Sequence, residues 1–322
     1  MSEAHGEVFD LGYHHYEGPR EGRMRARKAV WINGVRTALG IGRGLGSKAL
    51  AALLFIAVMM PAVAIGIGAT TAGDLVEFPG HDAYYEIISI LLIIFSAIIA
   101  PELLCPDRRD GVISLYLVRP LTTTDYVAGR WLAFLSVTLA LVYLGQVVLF
   151  IGFVLAADQP GDYMRDKWLD IPRFLLAGLA VAVFTTTIPL AVTAFTTRRA
   201  YAAAFVIGLF LISLPVAGIL SICEEGSGDQ QRPTEESGPG SAMGAQPEPC
   251  NPPTGEAAKW FALINLVGVP IHVNDLIFPE ENTSEFATLV SELPSIVPVA
   301  WYLLLTTGSG FVLWWRYRRI SI

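Results

Sequence analysis

The sequence predicts an all-α membrane protein with six transmembrane helices. Three observations carry this. The 322 residues are 53% hydrophobic and 16% charged, with a mean hydropathy of +0.51, whereas soluble domains average about 25% charged residues. The apolar residues gather into six runs, at about 48–69, 86–104, 129–156, 171–196, 200–222 and 294–315, each near the ~20 helical residues that cross a ~30 Å hydrocarbon core. None of the runs alternates as a membrane strand would. A backbone in lipid must pair its own polar groups, so each run reads as a helix.

The first segment, residues 1–47, precedes the spans. Residues 1–26 are polar and read as a tail. From Arg27 to Arg43 the pattern is amphipathic, with Trp31, Gly34, Val35, Ala38 and Gly42 on one face and Arg25, Lys28, Arg36 and Arg43 to one side. This predicts a helix on the membrane surface, its basic groups toward anionic lipid headgroups. A basic juxtamembrane linker is the alternative, because Gly34, Gly40 and Gly42 weaken helix propensity. No continuous apolar core lies in these residues, so no cleavable signal peptide is expected.

Residues 48–222 hold spans one to five, residues 223–293 the longest loop, and residues 294–322 the sixth span with its polar end. Arginine and lysine set the expected orientation. With the N-terminus inside, Arg165, Lys167, Arg173, Arg232 and Lys259 alone among the 22 basic residues lie outside. The positive-inside bias therefore places both termini, and the loop at 105–128, in the cytoplasm. The net charge of −7 is no sign of nucleic-acid binding, since the acids sit mostly in outer loops, and no nucleic-acid partner is expected.

The long outer loop has two parts. Residues 224–256 are rich in Gly, Pro, Ser, Gln and Glu and read as disordered. Cys223 and Cys250 flank this part, where an oxidising exterior permits a disulfide; two unpaired small residues are the other reading. Residues 257–293 carry apolar residues at helical spacing broken by Pro270 and Pro279, the pattern of a re-entrant or interfacial piece.

Catalytic patterns are missing. The chain has no H-E-x-x-H, no G-x-S-x-G and no Cys/His cluster of metal spacing. His14 and His15 are adjacent, and His81 and His272 are isolated in outer loops. GIGRGLGSKA at Gly40–Ala49 lacks the phosphate-loop spacing, because Ser47 separates Gly46 from Lys48. No enzyme, metal or cofactor is expected of this chain. Glu102, near the inner end of the second span, is expected to terminate that span or to pair with Arg108 or Arg109, since a proton pump would need more carboxylates near mid-membrane.

The loop between the second and third spans is the most informative stretch. From Asp107 to Leu117, Val112, Leu115 and Tyr116 share one face with charges around them, which predicts a short amphipathic helix closed by Pro120. Thr122 and Asp125 then form an S/T-x-x-D capping signal that starts a new helix at Thr123. Run on to Ala156, that helix is about 50 Å long and begins outside the bilayer. A stiff protrusion of this kind can receive force from a soluble partner.

PDRRDGVISLYLVRPLTTTDYVAGRW, from Pro106 to Trp131, resembles the first cytoplasmic loop of ABC-2-type permeases, the membrane subunits of one class of ABC exporter. Asp110, Gly111, Leu115, Arg119, Pro120, Tyr126 and Arg130 carry the resemblance. DLGYHHYEGPREGR, from Asp10 to Arg23, is similar to the cytoplasmic start of actinobacterial members. INLVGVPIHVNDLIF, from Ile264 to Phe278, resembles the outer segment before their last span. The resemblance implies a bacterial cell-membrane protein of the type V exporter fold. It would pair with a second permease copy and with two copies of an ATPase that hold ATP and Mg²⁺. It also implies that Arg108, Arg109, Asp110, Gly111, Val112, Leu115, Tyr116 and Arg119 form the ATPase-coupling element, with residues 27–43 as the connecting helix. Gly111 would then admit a partner's backbone, or simply start the helix. A hydrophobic or amphipathic cargo (lipid, drug or peptide) fits the apolar spans. The alternative is a polytopic membrane receptor or assembly factor that transports nothing.

Overall fold

The computed structural model describes residues 22–42, 44–72, 78–113, 116, 121–168, 170–221, 255–278 and 285–320. The tail at 1–21, Arg43, Leu115, Arg119, Pro120, Cys223, Cys250 and Pro279 lie outside them. All regular structure in the described residues is helical. Six helices are long and apolar enough to cross a membrane: α2 (Leu45–Ala72), α3 (His81–Arg109), α4 (Thr123–Ala156), α6 (Asp170–Thr193), α7 (Arg199–Ser221) and α11 (Ile296–Ile320). The shorter helices are α1 (Arg23–Ala38), α5 (Pro160–Asp166), α8 (Ala258–Phe261), α9 (Val269–Ile277) and α10 (Glu285–Ser291).

Helices α3 and α6 are the central pair. In each, 67% of the most apolar stretch is buried inside the bundle, against 22% in α2, α7 and α11. Small side chains permit this. Ala97 and Ala100 of α3 and Ala177, Ala182 and Ala191 of α6 are buried, and small residues let helix backbones approach in a membrane, where dispersion rather than the hydrophobic effect holds helices together. Helix α4 bridges α2, α6 and α1. Its crossing with α2 is set by Gly66 and Gly152, since a Cβ on Gly152 would lie 2.5 Å from the Gly66 Cα. Prolines interrupt the hydrogen-bond ladders of α2 at Pro61, α3 at Pro101 and Pro106, α6 at Pro189 and α7 at Pro215. Helix α4 has none.

Helix α1 starts four residues before the expected boundary and ends at Ala38. Gly40 stops it with φ of 68°, and the Ile41 N–H donates to the Arg36 carbonyl over 2.8 Å, the bond pattern of a glycine-terminated helix. Its buried face is also rotated from the expected one. Val30, Gly34 and Ala38 face inward, while Lys28, Trp31 and Arg36 are exposed. The cause is a protein partner: α1 lies on α4.

The stretch 258–277 doubles back. The pieces Ala258–Ile264 and Val269–Ile277 are bent by 110°, but Pro270 does not make the break. It sits in the first turn of α9, where a missing N–H costs nothing. The bend lies at Asn265, whose Oδ1 accepts from the N–H groups of Val267 (3.2 Å) and Gly268 (3.3 Å). Two further bonds seat the turn in the bundle. The Leu266 N–H donates to Ser213 Oγ (3.1 Å), and Trp301 Nε1 donates to the Leu263 carbonyl (3.0 Å). The turn's polar backbone groups are thus met by protein, as irregular backbone beside apolar helices requires. Neither His81 nor His272 is a loop residue. His81 opens α3 with Nδ1 2.7 Å from Gln146 Oε1, and His272 is buried in α9.

Candidate functional site

The junction of α3 and α4 gathers charged and aromatic groups from four helices at one end of the bundle. Helix α3 runs to Arg109, five residues past the expected end of the second span, so Arg108 and Arg109 belong to its last turn. Gly111 then ends it. With φ of 67° it takes a conformation that costs other residues about 1–2 kcal/mol, and the Val112 N–H closes back on the Asp107 carbonyl over 3.0 Å. Gly111 is therefore a helix-stop glycine, rather than a helix-start one. Ile113 is buried beyond it, and the Tyr116 N–H donates to the Val112 carbonyl (3.3 Å).

The start of α4 follows the sequence signal. Thr122 and Asp125 form the reciprocal capping box, with Asp125 N–H to Thr122 Oγ1 at 3.3 Å and Thr122 N–H to Asp125 Oδ2 at 3.0 Å, and the helix runs from Thr123 to Ala156. The same carboxylate receives two guanidinium groups from α1: Arg23 Nε at 2.8 Å and Arg27 Nε at 2.7 Å. Charge-assisted bonds of this type are about twice as strong as neutral ones. The backbones close up where these arginines bind. A Cβ on Gly129 would lie 2.8 Å from Val30 Cγ1, and one on Gly34 would lie 2.5 Å from Ala133 Cβ.

Deeper in the junction, Asp107 accepts from Tyr126 Oη at 2.7 Å and pairs with Arg130 Nη2. Three tyrosines extend this pair sideways. The ring centroid of Tyr126 lies 5.6 Å from Tyr116 in the loop and 5.6 Å from Tyr317 of α11. The Arg130 guanidinium carbon sits 5.6 Å from the Tyr126 ring. Arg130 Nε and Nη1 and Tyr317 Oη are buried with no hydrogen-bond partner among the described residues.

Two expected coupling residues therefore face inward. Arg108 donates through Nη1 to the Ala194 carbonyl and to that of Thr196, the latter at 3.2 Å, capping the end of α6. Tyr116 packs on the core. Glu102 pairs with Arg199 at 2.7 Å, a partner not among the expected ones, while Arg108 is engaged by α6. The outward knuckle consists of Arg109, Asp110, Gly111 and half-buried Val112. Arg109 Nε donates to Asp110 Oδ1 over 2.9 Å, and this bond holds the Asp110 carboxyl below the usual range.

No protein-family model matches this sequence, and no curated protein does either.

Asp107, Arg130, Tyr317, Arg23, Arg27 and Ile113 were not among the expected site residues. The Arg23–Arg27 spacing of four, ahead of an acidic capping box, was the signal available for the α1 clamp. Nothing local marked Tyr317, which reaches the junction from the last helix. Among the described residues no three His, Cys, Asp or Glu side chains gather as metal ligands. The adjoining ends of α3 and α4 are clamped to each other and tied to α1, α6 and α11.

Proposed function

We propose that this chain is the membrane subunit of an ABC exporter, an ABC-2-type permease. It works as a dimer and is driven by two copies of a separate ATP-binding subunit. One observation carries the reading: the two ends of the loop that resembles the family's coupling segment, at Asp107 and Thr122, are both fixed by charged contacts, and Arg109, Asp110 and Gly111 between them are exposed. A partner pressing on Arg109 to Val112 would move α3 and α4 together, and through Arg108 and Tyr317 it would move α6 and α11. Both termini and the loop face the cytoplasm in this reading, in a bacterial cell membrane. ATP and Mg²⁺ belong to the partner, and this chain hydrolyses nothing. An apolar groove of about 760 Å³ between α4, α6, α9 and α11 favours a hydrophobic or amphipathic cargo.

Purification of the full chain from its own membranes tests this. An ATPase should accompany it in equal number, and Val112→Asp with Leu115→Asp should release that ATPase while the chain stays inserted. Intact chains that carry no ATPase would favour a receptor or assembly factor instead.

A further inference from the structure

Helix α11 meets the bundle along a narrow stripe, with Tyr302 Oη donating to the Ala180 carbonyl at 2.9 Å. On one flank this leaves a second groove of about 710 Å³ between α6, α7 and α11, within the ~300–1,000 Å³ of ordinary ligand sites. Its walls are apolar, including Ile188, Phe205, Leu209, Leu304 and Val312. Gly308 opens the floor, since a Cβ there would meet nothing within 4 Å.

The two ends of the groove differ. Leu266, at the turn of the bent 258–277 segment, lines one end. At the other end Phe195 and Tyr201 line the mouth, and each carries an arginine. The Arg316 guanidinium carbon lies 5.8 Å from the Phe195 ring, and that of Arg198 lies 5.6 Å from the Tyr201 ring. Nearby Arg199 is paired with Glu102 and Arg108 with the α6 carbonyls. Arg316 Nε is buried with no hydrogen-bond partner among the described residues. Along α11 the groove runs from Leu304 to Val312, about 12 Å; Arg316 stands one turn further on, which brings the reach from Leu304 to about 18 Å, close to one leaflet of a ~30 Å core. An apolar groove shorter than one leaflet, with Leu266 at one end and arginines beyond the other, matches a single lipid rather than a spanning helix.

We infer that this groove holds one anionic phospholipid of the leaflet at its arginine-bearing end, with an acyl chain along α11 and the phosphate on Arg198 and Arg316. Basic pockets between membrane helices take anionic headgroups by charge, and guanidinium groups stacked on rings are already oriented for this. The lipid is resident, held whether or not the chain takes part in transport.

The full chain in nanodiscs of equal phosphatidylcholine and phosphatidylglycerol, released into native mass spectrometry, reads this directly. One phosphatidylglycerol per chain should be retained over phosphatidylcholine. Arg198→Gln with Arg316→Gln should lower its occupancy about tenfold, and Arg165→Gln at the other end of the bundle should not. Gly308→Phe should evict the lipid with both arginines present. Gly308→Leu serves if the larger ring disturbs the elution profile. Equal retention of the two lipids overturns the inference. So does phosphatidylglycerol that persists in both groove-filling variants, or a Gly308→Cys cross-link between two copies that displaces it.

Discussion

Arg130 of α4 and Asp107 of α3 form an ion pair inside the bundle, with 3% and 14% of their side chains exposed. A buried pair adds little net stability, but removing one partner leaves an uncompensated charge that costs about 3–5 kcal/mol. Asp107→Asn should therefore lower the thermal midpoint of the purified chain more than Asp110→Asn, whose partner is at the surface. The paired change Asp107→Leu with Arg130→Met should recover most of the loss. A midpoint for Asp107→Asn equal to the parent's would show that the pair is not formed.

Gly111→Ala should cost about 1–2 kcal/mol, because a left-handed φ is required and no neighbour resists the added methyl. Asn, which tolerates that conformation, should cost less. Both are read as thermal midpoints. If Ala and Asn are equivalent to Gly, the helix does not stop there.

The α1–α4 contact is testable by a compensating exchange. Gly34→Ala collides with Ala133, so α1 should lift and its amides should exchange faster with deuterium. Ala133→Gly in the same chain should restore protection. Such recovery measures coupling between the two sites, and unchanged exchange in Gly34→Ala would separate α1 from α4.

Orientation has its own check. Cysteines placed at 224–256 should react with an impermeant reagent on intact cells, while those at 108–125 should not. The opposite pattern would invert the topology.

Local signals were legible in the sequence. The start of α4 rests on a four-residue capping box, and the apolar runs report the six long helices because length and composition suffice. What needed a partner was not legible. Arg108 belongs to a charge run, and only the carbonyl end of α6 turns it inward. The face of α1 reads as lipid-facing because the sequence does not show that α4 presents Gly129 to Val30. Pro270 draws attention as a breaker, yet the bend is made by the Asn265 side chain, whose bonds are no stronger a signal than any other polar residue's.

The distribution of prolines makes the six long helices mechanically unequal. Prolines are the usual points at which helices yield, and α2, α3, α6 and α7 each carry one or two. Helix α4 carries none over 34 residues. A tilt of about 5° at its Thr122 end would therefore arrive at Ala156 as a shift of about 4 Å over its ~50 Å length. Its neighbours α2 and α6 can absorb the same displacement by bending at Pro61 and Pro189, whereas α4 carries motion from one face of the membrane to the other as a rod.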